Sequence, residues 1–292
     1  MRTRVGVVGH VEWVQFARVA RVPLAGEIVH ASEAFAEPGG GGAVAAVQVR
    51  RLAGEAIFLT ALGTGADAER AASELRSRHG VTVHAGARPG AQRRTFTFLD
   101  DAAERTITVL GERIVPHRAD ALPWDELGEL DAIYLTGGDA GAVRAARAAR
   151  VLVATPRAIA ALAASNVRLD VLVGSANDAD EAYVPGTLRP EPLVVARTRG
   201  GAGGAWEIAA DAVATPPVPW LVPGESGGVW EAAPLPGAPA DAYGCGDSFA
   251  AALAYGLGAG MMLRDAIDLA ARCGAAVLCG RGPYGAMFEL AD

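Results

Sequence analysis

Short apolar runs alternate with helix-patterned segments along most of this 292-residue chain. The apolar runs predict buried strands at residues 5–9, 56–61, 132–136, 151–154, 171–174 and 193–198. Apolar residues at helical spacing predict helices at residues 43–52, 66–79, 140–149, 157–164, 248–257 and 263–278. Strands that alternate with helices form a mainly parallel sheet that helices cover on both faces. We therefore predict a doubly wound α/β fold.

A second group of strands interrupts this alternation. Residues 11–35 show no helical period, and we expect two strands there, at roughly 11–19 and 28–35. Residues 94–99 and 105–110 are rich in β-branched and aromatic side chains and flank a polar turn, which predicts a hairpin. The two pairs are expected to form a small second sheet. Residues 215–240 are rich in proline and glycine and predict an ordered loop.

The composition narrows the class of protein. The net charge of −7 provides no basic field for nucleic acid, and no apolar run approaches the ~20 residues of a membrane helix. We therefore expect neither a nucleic acid nor a membrane as partner. The amino terminus is predicted to be a buried strand and not a signal peptide. Three cysteines without a C-x-x-C pair make a zinc ribbon or disulfide framework unexpected and favour a reducing, cytoplasmic location.

The sequence contains no lysine. This excludes a P-loop, which needs its G-K-[ST] lysine, and any enzyme that works through a lysine Schiff base. If the protein binds ATP, its phosphates must be held by another device.

The most informative stretch is Asp241-Ala-Tyr-Gly-Cys-Gly-Asp247, which leads directly into a predicted helix. A glycine-rich turn at a helix start presents unpaired N–H groups and the positive end of the helix dipole, an arrangement that suits phosphate. Asp247 lies in the first helical turn, where its carboxylate can accept a proton from a substrate hydroxyl. Taken alone, the stretch is equally consistent with an ordinary turn and a helix-start acid.

Three other segments offer ligand groups next to predicted strands or helices. The four glycines at 39–42 precede a helix, and we favour a ligand site there over a flexible linker. Residues 175–181 hold three carboxylates and an amide, which can bind Mg²⁺ through its waters or simply begin an acidic helix. Residues 198–204 form either a phosphate loop or a glycine-rich hairpin. The segment 63–68 begins like a dinucleotide fingerprint but lacks its third glycine.

Four motifs together resemble the ribokinase-like (PfkB) family of carbohydrate kinases. The stretch 241–247 is similar to the family's D-T-x-G-A-G-D signature, and Gly39-Gly-Gly-Gly-Ala43 to its first signature, G-G-x-x-x-N. Thr198-x-Gly200-x-x-Gly203 resembles the T-x-G-x-x-G nucleotide loop, and Asn177-x-x-Asp180 the N-x-x-E motif. The motifs follow the family's order over nearly the whole chain. The resemblance implies one domain, 1–292, with lid strands inserted at about 10–36 and 92–111.

The resemblance also implies a role for each matching residue. Asp247 would be the catalytic base, and the amides of Gly244, Cys245 and Gly246 the anion hole for the transferring phosphoryl group. The implied cofactors are ATP and Mg²⁺, with K⁺ as a candidate. ATP would be bound by Thr198, Gly200, Gly203 and Asn177. Hydrated Mg²⁺ would be bound by Asn177 with Asp180 or Glu181. Asp241 would be a ligand of the monovalent cation.

Two departures from the family pattern concern the substrate. The aspartate that usually holds sugar hydroxyls corresponds to Val14, and the asparagine of the first signature to Val44. Glu12, His10 or Gln15 could substitute, and Gly39, Gly40 and Gly41 would border the substrate. Cys245 stands where the family usually has a small residue. It is either a reactive thiol or, as we favour, present because a small side chain fits there.

The leading hypothesis is an ATP-dependent kinase that phosphorylates a hydroxyl of a sugar or sugar-like small molecule. The alternative is a ligand-binding or regulatory protein with this fold and little or no kinase activity, which the two valines motivate. A nucleotide-dependent dehydrogenase is less favoured, because the fingerprint is incomplete. Apolar residues at Phe96, Phe98 and Ile107 could form a homodimer contact through the lid or close over the substrate.

Overall fold

The computed structural model describes residues 2–213 and 218–290. The strands in these ranges are β1 (Val5–Val8), β2 (Glu12–Arg18), β3 (Glu33–Gly39), β4 (Ile57–Thr64), β5 (Thr82–Ala91), β6 (Arg94–Leu99), β7 (Arg105–Leu110), β8 (Ala132–Leu135), β9 (Val151–Ala154), β10 (Val171–Ser175), β11 (Val194–Thr198), β12 (Gly204–Ile208) and β13 (Gly227–Trp230).

The larger sheet has nine strands in the order β13-β12-β11-β10-β9-β8-β1-β4-β5. Its strands from β11 to β5 are parallel, while β12 and β13 add an antiparallel edge. β1 lies between β4 and β8, so the chain proceeds outward from β1 in both directions. Ligands of doubly wound sheets bind beyond the carboxyl ends of the strands at such a reversal.

Helices cover both faces of this sheet. They are α1 (Gly41–Ala53), α2 (Ala66–Ser77), α3 (Ala140–Ala146), α4 (Ile159–Ser165), α5 (Ala210–Val213), α6 (Cys245–Gly258) and α7 (Leu263–Leu278). Alternate residues of β8 belong to different core layers: Tyr134 packs in the layer of α1, α6 and α7, and Ile133 and Leu135 in the layer of α3 and α4. Among the described residues, no helix is both long and apolar enough to span a bilayer.

The smaller sheet has the order β3-β2-β6-β7. β2 pairs antiparallel with β3 and parallel with β6, and β6 forms a hairpin with β7. Trp13, Val14 and Phe16 of β2 join the same core as α1 and α6. One face of the small sheet is thereby fixed to the main body, next to the amino end of α1.

The doubly wound fold and the separate small sheet predicted from the sequence are confirmed. The second strand of the small sheet, however, runs from 33 to 39 and not from 28 to 35, because its register with β2 pairs Arg18 with Glu33 and Glu12 with Gly39.

Two further differences between prediction and structure concern strands in the carboxyl-terminal half of the chain. The segment 215–240 is not loop throughout, since it contains β13, in which Gly228 lets the strand approach the Trp206 ring. Residues 215–217 of that prediction lie outside the described residues. The strand β12 was not predicted; it begins at Gly204, the last residue of the 198–204 segment, and pairs with β11, so this segment is a hairpin turn.

Candidate active site

The turn before α6 has the features expected of an anion site. Gly244 has φ +87°, and a β-carbon there would lie 2.9 Å from Val44 Cγ1, so the position requires glycine. A β-carbon on Gly246, in contrast, would meet no atom within 4 Å. No side chain caps the start of α6. The start of this 14-residue helix therefore has no side-chain cap and is open at Gly246, as an anion site requires.

Asp247 lies one residue further, in the first turn of α6. Its carboxylate contacts the tetraglycine segment, since a β-carbon on Gly41 would lie 2.6 Å from Asp247 Oδ1. Burial, and then the negative charge of Glu181, raise the pKa of Asp247 to about 6, while Arg157 and Arg105 act in the opposite direction. A carboxyl group whose pKa lies near neutral pH is suited to general-base catalysis.

The hydroxyl of Tyr243 connects three elements of the site. It accepts a hydrogen bond from the Gly40 amide at 2.9 Å and donates one to Glu12 Oε1 at 3.2 Å. A β-carbon on Gly39 would lie 2.7 Å from this hydroxyl, and one on Gly40 would lie 2.9 Å from His10 Cδ2. The glycines thus allow the 241–247 turn, β1 and the small sheet to meet at the start of α1.

The two valines at the positions of the family's polar residues are fully buried. Val14 packs against the backbone of Gly39, where a β-carbon would lie 2.4 Å from Val14 Cγ2, and Val44 packs against Gly244 in the same way. Each valine therefore supports one of the two glycine turns.

The acidic segment after β10 is held by an arginine that follows β9. Arg157 Nε donates to Glu181 Oε1 at 2.6 Å, and its Nη2 hydrogen-bonds Asp178. The second oxygen of Glu181 accepts from the Ser175 amide at 2.6 Å. The negative charge of the same Glu181 contributes to the raised pKa of Asp247.

These groups fit a hydrated metal ion and not a site in which side chains alone coordinate the metal. Within the described ranges, no three histidine, cysteine, aspartate or glutamate side chains cluster closely enough to hold a metal. Mg²⁺ usually keeps several waters and binds through one or two carboxylates together with substrate phosphates. Glu181 is partly buried, whereas Asp180 and Asn177 are exposed. Oxygen ligands suited to hydrated Mg²⁺ are thus present.

The predicted nucleotide loop lies beside this acidic segment. Thr198, at the end of β11, accepts a hydrogen bond from the Ala176 amide at 2.8 Å. Gly200 has φ +57°, and a β-carbon there would come within 3.9 Å of Asn177 Nδ2. Gly203 has φ +74° and no room for a side chain, because a β-carbon would lie 2.0 Å from the Trp230 carbonyl oxygen. Thr198, Gly200 and Asn177 therefore border one region at the carboxyl ends of β10 and β11.

The surroundings of Asp241 and Cys245 fit structural roles. Both carboxylate oxygens of the fully buried Asp241 accept backbone hydrogen bonds, from Tyr243 N at 2.8 Å and Gly282 N at 3.0 Å. Burial raises the pKa of Asp241, and these two bonds oppose that rise. Burial also raises the pKa of the Cys245 thiol to about 12, so the thiol stays protonated at neutral pH. Cys245 therefore offers its amide and not a thiolate.

The charges of three arginines act on His10, and these arginines were not identified from the sequence. Burial, followed by the charges of Arg113, Arg93 and Arg157, holds the pKa of His10 well below its usual range, so the imidazole is neutral. Arg93 Nε lies 2.9 Å from Glu12 Oε2, but the N–H direction is poorly aligned, so the contact is an ion pair and not a directed hydrogen bond. Arg113 donates to the Arg157 carbonyl oxygen at 3.2 Å.

Only one of these arginines had a signal in the sequence. Arg157 follows a predicted strand, where the rule for strand ends could have identified it. Arg93 and Arg113 flank the hairpin of the small sheet, and Tyr243 occupies a variable position of its motif. Arg93 and Arg113 approach the site only because the small sheet packs against the main one, and Tyr243 gains its hydrogen bond to Glu12 of β2 in the same way.

A separate surface groove of about 790 Å³ lies between the end of β4 and α2. It is lined by Gly63, Thr64, Gly65 and residues of α2, and it contains none of the residues described above. The candidate site, defined by its chemistry, lies at the carboxyl ends of the strands and not at this groove.

This architecture is the ribokinase-like fold. Ribokinase of Arabidopsis thaliana, solved in complex with ribose and ATP, is 17% identical, with a TM-score of 0.73 over 97% of this chain and 94% of that one. A microbiome-derived acarbose kinase is 17% identical, with a TM-score of 0.76 over 99% and 97% of the two chains. Adenosine kinase of Sinorhizobium meliloti, also 17% identical, has a TM-score of 0.69 over 97% and 96%.

The pfkB family carbohydrate kinase model matches residues 220–288, which include the 241–247 motif and α6. The resemblance to that family is therefore confirmed. No protein of curated function matches the sequence.

Proposed function

We propose that the protein is an ATP-dependent kinase that phosphorylates a hydroxyl group of a sugar or sugar-like small molecule. The observation that carries this proposal is the pairing of an open glycine turn at the start of α6 with Asp247. The pKa of this carboxyl is raised to about 6, and the carboxylate lies against Gly41. An anion site next to a base is the minimum that phosphoryl transfer to a hydroxyl needs, since positioning and charge stabilisation supply most of the catalysis.

In the proposed mechanism, the Asp247 carboxylate accepts the proton of the substrate hydroxyl as that oxygen attacks. The amides of Gly244, Cys245 and Gly246 stabilise the negative charge on the transferring group. A general base typically contributes about 10²–10⁴-fold to the rate, and one anion-hole donor about 10²–10³-fold. Glu12 and Gly39–Gly41 would border the substrate, together with the valines at 14 and 44.

Thr198, Gly200, Gly203 and Asn177 would hold ATP, and Asp180 or Glu181 would hold Mg²⁺ through water. When bound, ATP supplies the phosphoryl group and Mg²⁺ neutralises its charge. The 175–181 and 198–204 loops fit this role because Gly200 adjoins Asn177. The chain has no lysine, so the phosphates must be bound by other groups. Asp241 stays a candidate ligand for a monovalent cation such as K⁺.

The solved relatives named above act on ribose, acarbose and adenosine by their descriptions, so the fold accommodates different acceptors. We propose a small-molecule acceptor, a cytoplasmic location and one ribokinase-like domain over 1–292. A homodimer through the small sheet is also proposed, because the edge strand β7 exposes Ile107, Val109 and Leu110.

The test is substrate-dependent ADP release by the purified protein with Mg²⁺, across panels of sugars, sugar derivatives and nucleosides. Asp247→Asn is expected to lower kcat by at least about 10²-fold. Asp265→Asn is a matched control, because it makes the same change in the first turn of α7 at an exposed position. Equal turnover by wild type and Asp247→Asn would refute the role of Asp247. Ligand-induced stabilisation without any ADP release would favour the alternative of a binding or regulatory protein.

A further inference from the structure

Two of the three arginines that act on His10 form ion pairs with carboxylates. Arg93 pairs with Glu12 at 2.9 Å, and Arg157 pairs with Glu181 and Asp178. Arg113, the third arginine of the group, makes no ion pair with any residue in the described ranges. The hydrogen bond it donates goes to the uncharged Arg157 carbonyl oxygen.

Arg113 is not an ordinary surface arginine. It is partly buried, and burial is the main cause that lowers the pKa of its guanidinium, followed by the charges of Arg93 and Arg157. A partly desolvated cation beside two like charges is unfavourable unless an anion compensates it. The two acids that interact with it electrostatically are Glu12, already paired with Arg93, and Asp247.

The position of Arg113 indicates the substrate side of the site. It follows β7 of the small sheet, and its guanidinium donates to the carbonyl oxygen of Arg157, which follows β9 of the main sheet. The proposed nucleotide residues lie at the ends of β10 and β11, beyond Arg157 and its two carboxylates. Arg113 therefore lies between the small sheet and the carboxyl ends of the main-sheet strands, on the side where we place the acceptor.

We propose that the acceptor carries an anionic group, a carboxylate or a phosphate, which pairs with Arg113 while its reacting hydroxyl faces Asp247. This inference rests on the proposed kinase function and specifies its substrate class. It agrees with the two buried valines, because a charge-assisted contact can orient an acceptor that those positions do not hydrogen-bond.

The test compares three acceptor panels of matched carbon number: neutral sugars, aldonates and sugar monophosphates. With wild type, we expect kcat/KM for at least one anionic acceptor to exceed that of its neutral counterpart by tenfold or more. Arg113→Gln is expected to raise KM for that acceptor roughly 10- to 150-fold, the usual effect of a lost hydrogen bond to a charged group, and to leave KM for ATP within about twofold.

Two further variants complete the design. Arg113→Lys keeps the charge but not the planar fork, and should give a KM between those of wild type and Arg113→Gln. Arg118→Gln, an exposed arginine of the same connecting segment, should leave both KM values unchanged. A response to aldonates alone identifies the group as a carboxylate, and a response to monophosphates alone as a phosphate.

The outcomes separate this inference from the kinase proposal. Preference for neutral acceptors, with no effect of Arg113→Gln on their KM, overturns the anionic acceptor and leaves the kinase standing. A rise in KM for ATP alone also overturns it, because Arg113 would then serve the nucleotide. No turnover on any panel refutes the kinase function itself, and this inference with it.

Discussion

Replacing Tyr243 by phenylalanine removes one oxygen atom from the centre of the site and tests its architecture without any substrate. The Tyr243 side chain is 5% exposed, and its hydroxyl pairs the Gly40 amide and the Glu12 carboxylate. The phenyl ring would keep the edge contact with Phe16, whose ring centroid lies 5.2 Å away. The variant therefore removes hydrogen bonds while leaving the apolar packing in place.

The expected cost follows from these two bonds. A buried Gly40 N–H without a partner costs about 1–3 kcal/mol, and the lost bond to Glu12, which keeps its ion pair with Arg93, adds about 1 kcal/mol. The total is about 2–4 kcal/mol. At about 2.1 cal/mol/K per residue, the 292 residues give an unfolding entropy of about 0.6 kcal/mol/K, so Tm should fall by roughly 3–7 °C.

Differential scanning calorimetry at one pH and protein concentration measures this shift. Tyr183→Phe is the matched control, because it also removes a phenol–carboxylate hydrogen bond, here to Glu191, but leaves no buried backbone amide unpaired. We expect its Tm to fall by less than half as much. A Tm for Tyr243→Phe within about 1 °C of wild type, or equal to that of Tyr183→Phe, would refute the central role of this hydroxyl.

Two further predictions concern Asp247. If Asp247 is the base, as we propose, it must be ionised to act, and because its pKa is raised to about 6, kcat/KM should fall tenfold per pH unit below about pH 6 and level off above it. Glu181→Gln removes a charge that raises this pKa, so the acidic limb should move to lower pH, and an unmoved limb would contradict the assignment. Gly41→Ala places a methyl group 2.6 Å from Asp247 Oδ1 and should lower kcat/KM about 10²-fold by displacing the base. In Gly128→Ala, the new methyl group comes no closer than 3.8 Å to Ala148, and activity should match wild type; equal activity of both alanine variants would argue against the contact at Gly41.

The main sheet was predictable because each of its inner parallel strands is buried on both faces. Such strands appear as short apolar runs, as at Val5–Val8 and Ala132–Leu135, and local pattern identifies them. The antiparallel edge was not predictable in the same way. β13 is four residues long and begins with two glycines, so its strand character comes from pairing with β12 and from contact with Trp206, neither of which a local pattern contains.

The candidate site likewise contains residues that could be predicted from the sequence and residues that could not. Its glycine turns and Asp247 could be predicted because backbone conformation and close approach restrict these positions to particular residue types. Tyr243, Arg93 and Arg113 could not, because each acquires its surroundings from a different sheet or turn of the fold. Their roles depend on how the small sheet packs, which no single segment specifies.

The two glycine turns depend on each other for their shape. Val44, from the helix that follows the first turn, fills the space against Gly244 of the second, while Asp247 and Tyr243 of the second lie against Gly41 and Gly39 of the first. A polar residue at position 44 would need a partner in this fully buried space, whereas valine needs only contact. The valines are thus compatible with an intact arrangement of base and anion site. Selectivity for the acceptor would then depend on Glu12, His10 and the arginines beside them, so the departures from the family pattern argue for a changed substrate more than for lost chemistry.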